Sequence, residues 1–165
     1  MEALVAMNAD PRVAEFLARS YTRELSESLA VAMRRQLQAC GYGWWVVEVR
    51  GGAPFAGLIA LQDVPFEAPF TPAREIGWRF AFEFWGHGYA TEGARAALDF
   101  AFDRLGWDEV VAFTAALNVR SQRVMERLGM SHDPRDDFDH PRLAEGDPLR
   151  RTLLYRARRP STGSG

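Results

Sequence analysis

Apolar residues recur along this chain in two rhythms, and the switches between them outline its elements. Ala94, Ala97, Leu98, Ala101 and Leu105 return at three- and four-residue intervals, the period of one helix face. "WWVVEVR" and "FAGLIALQDV" are instead dense in β-branched and aromatic residues, and the intervening "GGAP" predicts a hairpin. "REIGWRFAF" alternates, which puts Glu75, Gly77 and Arg79 on one strand face and Ile76, Trp78 and Phe80 on the other. "EVVAFTA" is apolar almost throughout, as expected of a central strand covered on both sides.

Breakers and caps divide these runs. Met1 to about Leu17 reads as helix interrupted at Asp10-Pro11. Thr22 caps a second helix that reaches about Ala39 and closes at Gly41 and Gly43. "PFEAPFTPA" holds three prolines and predicts a loop. A helix opens at Gly88, and Asn118 caps another that runs through Leu128 to Gly129. "SHDPRDDFDHPRLAEGDP" predicts a long turn-rich loop before a last strand, "LRRTLLYRA". Two helices, antiparallel strands, then strand–helix–strand–helix–strand predict one α/β (α+β) domain over residues 1–158, with a disordered polar tail at 159–165.

Composition narrows the classes. A chain of 165 residues, 47% apolar and 25% charged, can bury the core of a single domain. A net charge of −2 argues against a broad nucleic-acid surface. Cys40 is the only cysteine, so no intrachain disulfide forms and a reducing cytoplasmic setting is expected. No apolar run reaches the roughly 18 residues of a membrane span, and the first residues lack the basic head of a signal peptide.

The chemistry concentrates in Gly86-His87-Gly88-Tyr89-Ala90-Thr91, a small-residue run at the mouth of a helix. Such backbone can curl its N–H groups inward, and the helix start adds positive potential, which together suit a phosphate or pyrophosphate. A plain turn is the competing reading. The run lacks the Lys-Ser/Thr pair of a nucleotide-hydrolysing P-loop and the full dinucleotide fingerprint. Asn118 opens a second helix behind a second strand, so two helix N-termini can converge on one ligand.

Glu75 to Met130, including "WGHGYATE" and "NVRSQRVMERLGM", resembles the GNAT-superfamily N-acetyltransferases, in particular the ribosomal-protein alanine acetyltransferase (RimJ/RimL-like) branch. The resemblance implies the GNAT fold, a mixed and mostly antiparallel sheet flanked by helices, with acetyl-CoA as cofactor. It places Gly86, His87, Gly88, Tyr89, Ala90 and Thr91 on the pyrophosphate, and Trp78, Arg79 and Phe80 along the pantetheine as an added strand. Asn118, Ser121 and Arg123 would flank the cofactor's far side. Relatives begin with a strand before the first helix, so the first edge strand is expected to be missing. An uncovered edge invites pairing with a second copy and so allows a homodimer.

Acetyl transfer to an amine needs a base, since an alkylamine of pKa about 10 is neutral about one time in a thousand at pH 7. Glu75 is the candidate base, against a surface Glu paired with Arg74 or Arg79; His140 is a second candidate. Ser121, in the first turn of its helix, is the candidate donor to the departing thiolate, against a serine that only satisfies backbone. Asn118 joins it as catalytic residue or as simple cap. His87 faces solvent or phosphate, Trp44 and Trp45 read as core, and no metal site is expected. The acids between Ser131 and Leu149 either draw in a cationic acceptor or form a solvated loop. The acceptor class stays open between a protein or peptide N-terminus and a small amine. The reading is an N-acetyltransferase; the alternative is a non-catalytic acyl-CoA-binding module.

Overall fold

The computed structural model describes residues 1–17 and 21–160. Asp10 separates α1 (Glu2–Ala9) from α2 (Pro11–Ala14), as the Asp-Pro pair predicts: its carboxylate accepts from Arg12 N–H, and Pro11 takes a first-turn position where no N–H is needed. Thr22 Oγ1 accepts from Leu25 N–H at 3.2 Å to start α3 (Arg23–Cys40), and Gly41 ends it in the left-handed region. Three strands follow, β1 (Trp44–Val47), β2 (Gly57–Asp63) and β3 (Arg74–Phe80), then α4 (Tyr89–Asp103), β4 (Glu109–Ala115) and α5 (Val119–Arg127).

The stretch predicted as one long loop is the main departure. It contains β5 (Ser131–His132) and β6 (Phe138–Asp139), both paired to the final strand β7 (Arg151–Arg158). Two-residue pairings carry no periodic signal, so the turn residues around them dominated the sequence reading. Of the predicted tail, Arg159 donates to the carbonyls of Phe102 and Trp107; residues 161–165 lie outside those described.

The seven strands form one open sheet in the order β1-β2-β3-β4-β7-β5, with β6 also on β7 and β1 at one edge. Every pairing is antiparallel except β3 with β4, which is parallel and registers at a single pair, Glu75 with Val111. One face carries Ile59, Leu61, Ile76, Phe80, Val110 and Ala112 against Ala94, Ala97, Leu98 and Ala101 of α4 and Met125 of α5. At Gly93 an added Cβ would sit 2.3 Å from Ile59 Cδ1, so this helix lies hard against β2. The opposite face has two separate cores. Leu58 packs with Leu4, Met7, Val13 and Met33, while Val111, Leu154 and Phe138 pack beneath Phe66, Phe70 and Phe113. Among the described residues no helix is long and apolar enough to cross a membrane.

Candidate active site

The site follows from the place where β3 and β4 part. Ala73 C=O and Ala81 N–H, flanking β3, both bond toward β2. By strand alternation, the odd positions therefore face β2 and the even ones face β4. The peptide groups of Trp78 and the N–H of Phe80 thus turn toward β4 beyond the single registered pair. Phe80 C=O is taken by Trp85 Nε1–H at 2.8 Å, which folds the indole back over the strand end. Arg79 turns its peptide groups to β2 and its guanidinium to Asn8 Oδ1 at 2.7 Å.

Glu75 stands at the fork. Gln62 lies opposite it across β2 and β3, and Gln62 Nε2 donates to Glu75 Oε2 at 3.1 Å. Trp44 Nε1 donates to Gln62 Oε1 at 2.9 Å, which fixes the amide so that its NH2 faces the carboxylate. Glu75 Oε1 leans over Gly77, 3.7 Å from where a Cβ would stand there. Burial pushes the Glu75 carboxyl up to about 7, against smaller opposing pulls from the Gln62 hydrogen bond and the Arg142 charge. It is only partly exposed and forms no ion pair among the described residues, unlike a surface glutamate. Gln62 was not singled out from sequence, and Trp44, expected in the core, also orients this network. Cross-strand register was the missing signal.

The glycine run forms an open cradle. Gly86 and Gly88 have φ of +79° and +85°, a region L side chains rarely adopt, and an added Cβ at either meets nothing within 4 Å. Glu92 N–H is the first in α4 to bond within the helix, to Gly88 C=O at 3.0 Å, so the N–H groups of Tyr89, Ala90 and Thr91 precede the helical ladder. Thr91 Oγ1 is buried and has no hydrogen-bond partner among the described residues. His87 stacks on Tyr89 with ring centroids 5.6 Å apart.

The start of α5 lies beside Trp85, the residue that leads into this cradle. Asn118 Oδ1 accepts from Ser121 N–H at 3.2 Å, which fixes the amide and aims Nδ2 at Ser121 Oγ, 3.1 Å away. Ser121 Oγ therefore accepts from Asn118 and keeps its own proton for another partner. Arg120 was not singled out from sequence; its guanidinium lies 4.9 Å over the Trp85 ring and ties the two helix starts together. Arg123 is exposed on the same helix.

Away from the fork, His140 packs 4.8 Å from Phe66 and its Nδ1 accepts from Arg142 N–H. Burial, then the Arg142 charge, lowers its basicity. The late acids are bound to basic groups of their own loop and of β7. Asp133 pairs with Arg135, Asp136 with Arg156, Asp137 with His132 and Arg151, and Asp139 with Arg150. Most of the charge expected to draw in a cation is neutralised within the fold.

Compared with known proteins, residues 1–131 match the acetyltransferase (GNAT) domain. A protein of Aspergillus fumigatus named FsC-acetyl coenzyme A-N(2)-transacetylase is 32% identical over 176 residues, covering 97% of this chain and 73% of its own. A Bacillus anthracis acetyltransferase (GNAT family) superposes with a TM-score of 0.76 at 23% identity, over 96% of this chain and 88% of that one. The Vibrio cholerae spermidine N-acetyltransferase solved with CoA and spermine superposes at 0.72 and 16% identity, over 96% and 89% of the two chains. At these identities the two structures speak for the fold.

Proposed function

The chain belongs to the acetyltransferase (GNAT) family, and from that premise we propose that it transfers the acetyl group of acetyl-CoA to a primary amine within a ternary complex. The observation that carries this reading is a carboxyl pushed by burial to about 7, seated where β3 and β4 part and with one oxygen over Gly77. A group of that basicity can take a proton from an ammonium near neutral pH, which an ordinary exposed glutamate does poorly.

The cradle fits a diphosphate. Its two left-handed glycines leave space where side chains would stand, and Thr91 Oγ1 lacks a partner that a phosphate oxygen can supply. Gly86, His87, Gly88, Tyr89, Ala90 and Thr91 would hold the pyrophosphate of CoA, with Arg120 and Arg123 adding charge nearby. Trp78 and Phe80 would bond the pantetheine arm through the peptide groups they turn toward β4. Once bound, acetyl-CoA supplies an activated thioester. The Trp78 N–H polarises its carbonyl oxygen, Glu75 accepts the amine proton, and Ser121 donates toward the sulfur with Asn118 holding its hydroxyl. Within the family, Trp85-Gly86-His87-Gly88 followed by Asn118 to Met130 supports the RimJ/RimL-like branch.

The test is thiol release from acetyl-CoA across a panel of amines. Acceptor-dependent release is expected and should disappear in Glu75→Gln. Tight CoA binding with no release for any amine would instead support the non-catalytic binding module.

A further inference from the structure

The floor beside Glu75 has polar ends of opposite charge. Glu75, Gly77 and Arg79 share one face of β3, so a carboxylate, a bare glycine and a guanidinium follow one another along the strand. A Cβ at Gly77 would meet only Glu75 Oε1, at 3.7 Å, and that oxygen has no hydrogen-bond partner in the described residues. At the other end Arg79 is half-buried between Asn8 and the Tyr21 ring, 4.8 Å from the ring centroid. Asn8 is itself fixed, its amide donating to the fully buried Ser26 at 3.0 Å, so the guanidinium is anchored by neutral groups alone.

No aspartate or glutamate of the described residues pairs with Arg79. A half-buried cation without a counter-charge costs stability, a cost that an anionic ligand would relieve. Arg142, whose charge Glu75 feels, is an exposed cation: it bonds the carbonyl of Pro65, lies over Phe66 and has no carboxylate partner among the described residues. Arg135 and Arg150 of the same loop, by contrast, are matched to acids, as are Arg151 and Arg156 of β7. The surroundings of the floor are therefore cationic, which disfavours an acceptor with a second ammonium.

We propose that the acceptor carries a carboxylate several bonds from its amine, with the amine at Glu75 Oε1 and the carboxylate at the Arg79 guanidinium. This deepens the acetyltransferase reading and rests on it for the role of Glu75. Four strand positions separate the two residues, about 13 Å between their Cα atoms. Their side chains shorten that span, so an ω-amino acid fits where an α-amino acid falls short. The acceptor class differs from the spermine bound in the Vibrio cholerae structure.

The test uses three amines of one chain length: ε-aminocaproate, its neutral amide and hexamethylenediamine. Each is measured for acetylation and, by calorimetry, for binding to the CoA-loaded protein. The wild type should favour the carboxylate over the amide by roughly tenfold or more, the scale of one charge-assisted hydrogen bond, and the diamine should rank last. Arg79→Gln should remove the preference, Arg79→Lys should keep its direction, and Arg79→Glu should move the diamine to first. A wild type indifferent to the three, or a preference that survives Arg79→Gln, overturns the proposal. Acetylation without preference would do so while leaving the acetyltransferase reading intact. Preferential binding without acetylation would support the anion site and sink the acetyltransferase reading.

Discussion

The late loop over residues 131–150 and the glycine cradle over residues 86–91 are both rich in polar groups, yet they treat them in opposite ways. In the loop, Asp133, Asp136, Asp137 and Asp139 all have basic partners inside the molecule. Asp137 alone accepts from His132 and from Leu154 N–H and lies near Arg151. In the cradle and the fork beside it the groups are left wanting: unpaired first-turn N–H groups, the orphan Thr91 hydroxyl, a desolvated Glu75 and the unmatched Arg79. A fold satisfies its buried polar atoms wherever it can, so the places where it does not are where a ligand is sought. Charge density in the sequence points to the late loop for the acceptor; unsatisfied polarity in the structure points to the fork.

The sharpest way to break this contrast is to fill the cradle. Gly88→Trp forces a side chain onto a left-handed backbone and into the space held open there. CoA affinity by calorimetry should fall at least 100-fold, on the order of 3 kcal/mol, while the folded far-UV signal persists. Unchanged affinity would remove the cradle from the site.

Glu75→Gln comes next. Turnover should drop by about 10²–10⁴-fold, the range of one general base, with CoA affinity unchanged. The same substitution should stabilise the protein. A carboxyl whose folded pKa is raised from 4.5 to about 7 is held protonated by the fold, so its stability contribution is lost as pH rises between those values. The variant's advantage should therefore be absent near pH 4, grow through pH 7 and level off above it, at a few kcal/mol. Melting curves across that range check it; a flat difference would mean the carboxyl is not perturbed.

Smaller effects separate the two regions. Ser121→Ala should lower kcat about tenfold or more with little change in CoA affinity, since it leaves the Asn118 cap to Ser121 N–H intact. Asp137→Ala should cost about 1–3 kcal/mol of stability by leaving its partners unmatched. It should move acceptor kcat/KM by less than about twofold, the fall-off expected of a site that only holds structure. A larger change there would draw the late loop into acceptor recognition.

Much of this was legible from one sequence because the signals are local. Asp10-Pro11, Thr22, Gly41 and Asn118 mark helix ends through bonds to their own neighbours, and all four act as their chemistry predicts. The alternation of Glu75 through Phe80 likewise depends only on the strand. The contribution of Gln62 and Trp44 to Glu75 was not legible, because it arises from the register of three strands distant in sequence. Nor was the pairing of the late acids, whose arginine partners lie largely on β7. The placement of Arg120 over Trp85 depends on how two separate helix starts meet.

The central claim, that the fork of β3 and β4 holds a neutral-range base, is tested most directly by the pH dependence of kcat/KM for the acetylated amine in wild type and Glu75→Gln. The wild-type rate should climb with unit slope and bend to a plateau at about pH 7, the value burial imposes on Glu75, and the variant should lose that bend together with most of its rate. A variant that keeps both the rate and the inflection would show that the proton leaves by another route.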